Sequence, residues 1–197
     1  MKYIFTLMLA MLAYTGFAQE AVPGTTNYTY DTPPARLRDF SYNMGKMFIT
    51  ANDTNGRSGI RTGANYGIRY QGGRELHKGT TILVGAELQY NLSVDNVFNH
   101  ARFEYVYVGI PVSIDYETFT KHQGYYVRAT ISAGLAHQEY FNLHTYVEFD
   151  GGLLFAADHC RIGFGPYLQF NDDIKNVQND NVKNIMTIGL RLSINLR

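Results

Sequence analysis

The chain has no tryptophan, one cysteine (Cys160) and no excess of either charge, since 17 Lys and Arg balance 17 Asp and Glu. A single thiol cannot close an internal disulfide, so an exported form must rely on its fold alone. Zero net charge, with no basic run and no basic patch interleaved with aromatics, gives no case for nucleic-acid binding. Beyond the N-terminal segment no apolar stretch reaches the ~18 residues that a membrane helix needs. Helical spanning is therefore excluded. A membrane β-barrel is not, because its strands cross as shorter, alternating runs.

What the chain does have is 19 glycines, 16 tyrosines and 12 phenylalanines among 197 residues, a composition that favours strands in one domain of ordinary size. Its first 18 residues are a short positive end, an apolar core and the small-residue ending "TGFA". This is the pattern of a cleavable export signal, with cleavage expected between Ala18 and Gln19. The alternative, an N-terminal anchor helix, is disfavoured by the short apolar core. No cysteine follows the cleavage point, which argues against a lipid-anchored lipoprotein. Residues 19–38 carry Pro23, Pro33 and Pro34 without periodicity and read as an extended leader, leaving 39–197 as the folded domain.

Eight strand-like runs follow, at about 40–51, 58–71, 80–92, 103–117, 124–136, 144–157, 160–171 and 184–196. Polar breaks such as "NDTNGR", "GGRELHKG" and "NDDIKNVQNDN" separate them. From the second run onward each splits by parity into an apolar and a polar row, as successive side chains of a strand point to opposite faces. In run four the apolar row is Val106, Val108, Ile110, Val112, Ile114 and Tyr116; in run eight it is Met186, Ile188, Leu190, Leu192, Ile194 and Leu196. No charged residue falls in any of these apolar rows. The opposite rows hold Arg61, Arg69, Arg128, Arg161 and Arg191 against Glu87, Asp115, Glu117, Glu148 and Asp150, interspersed with glycines.

These ten residues are expected to form a charge network inside the barrel, each charge buried only because it is paired. Eight strands give an interior just wide enough for side chains to fill, and the glycines are expected to make room for long arginines. A lipocalin-like soluble barrel with an apolar lumen is the alternative use of the same alternation. The length of the runs, the scarcity of lysine on the polar rows and the aromatics near run ends favour the membrane form. Tyr70, Tyr116, Tyr125 and Phe155 are expected at one rim, Tyr90 and Phe170 at the other. Run one fits poorly, since Lys46 shares phase with Tyr42, Met44 and Phe48. A β-bulge near Gly45 would restore the pattern by turning Met47 and Ile49 outward.

The segment "YVGIPVSIDY", residues 107–116, resembles the PorT-like outer-membrane β-barrel family of Bacteroidota, whose strand has the form Leu-x-Ile-Pro-Leu-Leu-x-Lys-Tyr. Val108, Ile110, Pro111, Val112 and Tyr116 match it, whereas Asp115 stands where the family has Lys. The ending "GFAQ" and the segment "YYVRATISAGL" are similar too. The resemblance implies an eight-stranded outer-membrane barrel without implying one activity, and some members serve the type IX secretion machinery. Pro111 lacks a ladder donor and so marks a bulge or a gap.

Candidate chemistry is sparse. The six histidines, His77, His100, His122, His137, His144 and His159, fall mostly in turns or at strand ends and offer no ligand spacing for a metal. Asp115 and Glu117 share a face, as an acid–base pair would, but two barrel arginines are the more economical partners. Ser132 with His137, or Ser93 with His100, are the Ser–His pairs a lipid A hydrolase would need; no local motif supports either. "GFGP" at 163–166 is followed by no helix and is no phosphate loop. Cys160, beside a tight turn, is expected to be incidental.

The expectation is thus an all-β, eight-stranded antiparallel up-and-down transmembrane β-barrel of the outer membrane. It is expected to be monomeric and non-enzymatic, with no cofactor, structural, adhesive or secretion-associated, and too filled to form a wide pore. Its partners would be outer-membrane lipid and surface or secretion partners bound through the loops at 91–101 and 171–184. The alternatives are a barrel enzyme acting on lipid A and a soluble periplasmic barrel holding an apolar ligand.

Overall fold

The computed structural model describes residues 36–52, 58–94, 102–120, 123–137, 141–156, 160–171 and 181–196. They form eight strands: β1 Arg36–Asn52, β2 Ser58–His77, β3 Thr80–Val94, β4 Arg102–Thr120, β5 Gln123–His137, β6 Phe141–Ala156, β7 Cys160–Asn171 and β8 Asn181–Leu196. Each pairs antiparallel with the next, and β8 closes onto β1, giving an up-and-down barrel without a free edge. The expected export signal at 1–18 lies outside the described residues, as does most of the expected leader. β1 begins at Arg36, ahead of the expected domain start at Asp39, and β2 runs on to His77.

The stagger of the strands can be followed pair by pair. From Arg38 the partners are Gly72, Val84, Val112, Ile131, Val147, Phe170 and Met186, and Met186 returns to β1 at Phe48. A circuit therefore advances ten residues along β1 (38 to 48). For eight strands at ordinary spacing this corresponds to a tilt of about 40°. At that tilt a run of about ten residues spans the ~25 Å apolar band of an outer-membrane barrel.

One end of the barrel is the turn end. Lys78 and Gly79 join β2 to β3 there, and Gly79 has φ +77°, which suits glycine because it has no Cβ to clash. Its N–H donates to Glu75 Oε1 at 3.0 Å, and its carbonyl accepts from Glu117 N at 2.8 Å. The other end carries the connections at 53–57, 95–101, 138–140 and 172–180, three of them longer than any at the turn end, and is called here the loop end. Asn91 to Val94 belong to β3, and Asn171 and Asn181 to Asn184 to β7 and β8, so the connections are shorter than the loops expected from sequence.

The two prolines within strands each leave a local gap without shifting register. The β3–β4 ladder is open between Val84↔Val112 and Glu87↔Gly109, around Pro111. The β6–β7 ladder is open between Asp150↔Tyr167 and Leu153↔Phe164, around Pro166. Each proline lacks the N–H that the ladder would use, and the opposite neighbour strand keeps its pairing.

β1 departs from the expected bulge. It pairs with β2 without interruption from Arg36↔Arg74 to Asn52↔Ser58, and its register with β8 shifts only between Thr50 and Ala51. Met47 and Ile49 therefore point inward and are buried, while Lys46 points outward with Nζ 5.5 Å from the centre of the Phe48 ring. Consistent alternation makes this possible, because the inside at this level holds an apolar cluster, with the buried Arg61 across from Ile49.

Candidate functional site

The barrel has two faces of opposite polarity. Outward rows are exposed and apolar: Val108 is 56% and Ile110 62% exposed, and Leu190, Leu192, Ile194 and Leu196 continue the pattern on β8. Inward rows are buried and polar, and Arg69, Arg128 and Arg191 are among the largest fully buried side chains. This is the inverse of a soluble barrel with an apolar lumen.

At the turn end the inward row is ionic. Arg161 pairs with Glu117 and lies over the Phe119 ring at 4.2 Å, while Asn195 Nδ2 donates to Glu117 Oε1 at 3.3 Å. Arg128 donates to Asp39 and, at 3.1 Å, to Asp115 Oδ2. Arg191 sits against Asp150 at 2.5 Å and makes a two-pronged contact with Glu148, at 2.5 and 2.7 Å. Arg69 grips the same Glu148 from the other side, at 2.9 and 3.2 Å, and donates through Nε to Glu87 at 3.0 Å. Two guanidinium groups thus share one carboxylate, the bidentate arrangement in which an arginine–carboxylate bond is strongest. Glu87 also accepts from Ser132 Oγ at 2.5 Å and from the Tyr146 hydroxyl.

Several of these contacts cross the lumen. Arg128 on β5 reaches Asp39 on β1, Arg69 on β2 reaches Glu148 on β6, and Arg161 on β7 reaches Glu117 on β4. Strands on opposite sides of the barrel are therefore tied through its axis, and the bore is occupied by side chains.

Above this ionic part lies a belt of amides. Asn65 accepts from Asn43 at 2.8 Å and from the Tyr167 hydroxyl at 2.7 Å, and donates to Gln89 at 3.1 Å and Asn91 at 2.7 Å. Gln169 donates to Gln89 at 3.2 Å and to Asn171 at 2.7 Å. Nearest the loop end, Met47, Ile49, Tyr105, Tyr107, Ala136, Tyr146 and Ile185 form a buried apolar cluster. His144 stands edge-on to Tyr105 and Tyr107, with ring centres 5.9 and 5.4 Å apart, and its Nε2 is 3.2 Å from Asn171 Oδ1.

The sequence-derived charge set can be placed residue by residue. Arg69, Glu87, Glu148, Arg191 and Asp150 are brought into one buried network, Arg128 holds Asp115 together with Asp39, and Glu117 and Arg161 form the pair at the turn-end mouth. Arg61 is buried on β2 toward the loop end, across from Ile49. Asp39 was missed, because run one was read without a clean inward row; it makes the buried anions outnumber the expected five. The inward tyrosines Tyr105, Tyr107, Tyr126, Tyr146 and Tyr167 were also missed, although each shares parity with the charges. At some inward glycines the room is taken by these rings and by short side chains, and at Gly73, Gly85 and Gly165 the neighbouring strand's backbone stands closest. A Cβ on Gly109 would meet Tyr107, one on Gly45 or Gly189 would meet Tyr167, and one on Gly67 would meet Asn43.

The candidate enzyme residues do not assemble. Ser132 is buried inside the barrel on Glu87 and Tyr107, whereas His137 is exposed on the opposite, outer face of the same strand. His100 lies outside the described residues. Asp115 and Glu117 each face an arginine of their own. Among the described residues no cluster of His, Cys, Asp and Glu suits a metal ion. Cys160, a free thiol, opens β7 opposite Leu196. Of the expected rim aromatics, Tyr116, Tyr125 and Phe155 stand at the turn end, while Tyr70 lies further in, level with Phe40 and Ala86.

No family model and no curated protein matches the chain. Among solved structures, Neisserial surface protein A (NspA) is similar at 14% identity and TM-score 0.46, over 80% of this chain and 96% of its own. The N-terminal β-barrel domain of Pseudomonas aeruginosa OprF is similar at 13% identity and TM-score 0.38, over 81% and 97%. Ail, the attachment invasion locus protein of Yersinia pestis, solved with the heparin analogue sucrose octasulfate, is similar at 12% identity and TM-score 0.37, over 81% and 99%.

Proposed function

We propose that this chain is a monomeric, non-enzymatic barrel of the bacterial outer membrane, set in lipid by its outward rows and acting through the segments at its loop end. The observation that carries this is the inverted polarity of a closed barrel: outward positions are exposed and apolar, while inward arginines and carboxylates pair across the lumen. In water such an outer surface would aggregate, and in lipid it is the required solvent face. Closure satisfies every strand edge, which is the other condition for a sheet to sit in hydrocarbon.

The loop-end connections at 95–101 and 172–180 are the longest polar ones, and an adhesive or secretion-associated role would reside there. The resemblance of residues 107–116 to the PorT-like barrels, some of which serve the type IX secretion machinery, admits the secretion-associated form without selecting it. A soluble ligand-binding barrel is disfavoured because the lumen is filled with ion pairs and amides. A lipid A hydrolase is disfavoured because Ser132 and His137 occupy opposite faces.

Expression of the full chain in a diderm bacterium tests this reading. The protein should fractionate with the outer membrane, resist alkaline extraction and migrate differently before and after boiling. Recovery in the soluble fraction without detergent would overturn the membrane assignment. An altered lipid A mass profile that depends on Ser132 would restore the enzyme reading.

A further inference from the structure

The outward surface of β8, β1 and β2 at the turn end carries a feature that a uniform apolar belt does not need. A groove of ≈ 200 Å³ is lined by Arg38, Phe40, Tyr70, Ile194 and Leu196. The pairing sets Gly72 beside it. Arg38 is flanked by Gly72 on β2 and Leu196 on β8, and Phe40 by Tyr70 and Ile194. Gly72 belongs to the outward row between Tyr70 and Arg74, and a Cβ placed on it would meet nothing within 4 Å. The missing side chain opens a notch in a row that is otherwise bulky. Arg38 stands beside that notch across the β1–β2 ladder and Arg74 two residues along β2 from it, both exposed and both on the outward face.

From this geometry we infer a binding site for one anionic phospholipid of the leaflet that meets the turn end. Its phosphate would lie between Arg38 and Arg74, and one acyl chain would run along Phe40, Tyr70 and Ile194. Phe40, Tyr70, Ile194 and Leu196 supply apolar wall, and Arg38 and Arg74 stand exposed on the outward rows beside it. A guanidinium recognises a phosphate through paired N–H bonds, and an arginine at a membrane boundary keeps its stem in apolar surroundings and its head at the interface. The site is narrower than general attraction of a basic surface for an anionic membrane, because the notch at Gly72 sets where the headgroup enters.

The inference rests on the membrane reading, and two variants separate it from that reading. The purified barrel is released from detergent with mixed phosphatidylglycerol and phosphatidylethanolamine and analysed by native mass spectrometry. One retained phosphatidylglycerol per barrel is expected, in at least about tenfold preference over phosphatidylethanolamine. Arg38→Gln with Arg74→Gln should abolish the preference. Gly72→Leu should do the same with both arginines intact, because it fills the notch at a position with open space.

Both variants should still insert and show the shift on boiling; failure to insert would count against the membrane reading, not against the site. Equal retention of the two lipids, or a preference that survives both variants, would overturn the site. Loss of phosphatidylglycerol to millimolar inorganic phosphate would also overturn it, by identifying a free-anion site with no part for the acyl chain.

Discussion

At the turn end of the lumen Arg128, Arg191 and Arg69 are held by five carboxylates, with two guanidinium groups converging on Glu148. At the loop end the same inward rows carry Met47, Ile49, Tyr105, Tyr107 and Ile185. The backbone is the same closed sheet throughout, so the difference lies in what fills it. Buried ion pairs add little net stability over well-packed apolar residues, but removing one partner is costly because it leaves a charge unmet. They are also directional. Arg69 finds both oxygens of Glu148 only if β2 and β6 hold one axial position relative to each other. The apolar cluster closes the bore by packing and tolerates small changes of shape. The ionic half thus constrains register, and the apolar half seals.

The contrast can be broken most severely at Glu148. Glu148→Ala leaves Arg69 and Arg191 without their shared carboxylate and should cost about 3–5 kcal/mol, as breaking a buried charge network does. Reversible urea unfolding of the barrel in phospholipid vesicles measures this, and a cost below about 1 kcal/mol would mean that the network is not formed. At the other end, Ile49→Ala should cost about 2–4 kcal/mol through lost burial and a residual cavity. That loss should come without any change in the register reported by cross-linking between β1 and β8. If Ile49 faced outward, as a bulge at Gly45 would have it, the same substitution would be felt much less.

A smaller effect is expected at Asp39. Asp39→Asn keeps a hydrogen-bond acceptor for Arg128, which retains Asp115, so a loss of about 1–2 kcal/mol is expected in the same unfolding measurement. The smallest is Lys46→Leu on the outer face. Near the rim a lysine costs about 0–1 kcal/mol relative to an apolar residue, against about 2–4 kcal/mol at the bilayer midplane. A gain within the lower range would place Lys46 near the boundary of the apolar band; a gain in the upper range would move that boundary toward the loop end.

Much of the barrel could be read from parity, because a strand has only two faces and closure makes them an inside and an outside. The outward rows of β2 to β8 and the ten charged residues on the inward rows follow from that rule. β1 did not yield to it. The rule equated apolar with outward, but the loop-end interior carries an apolar cluster of its own, so Met47 and Ile49 obey alternation while violating composition. Asp39 went unnoticed for the same reason, since its row could not be told from the outer one. Parity also could not say which arginine meets which acid, because the partners lie far apart in sequence and come together only across the closed lumen.

Composition and period-two alternation by themselves determined an eight-stranded sheet with one apolar and one polar face on β2 to β8, because local side-chain direction depends only on the backbone. Which face lies inside, the ten-residue stagger, the sharing of Glu148 and the division of the lumen into ionic and apolar halves were decided by closure. That step alone brings β8 onto β1 and sets side chains from opposite strands within reach of one another.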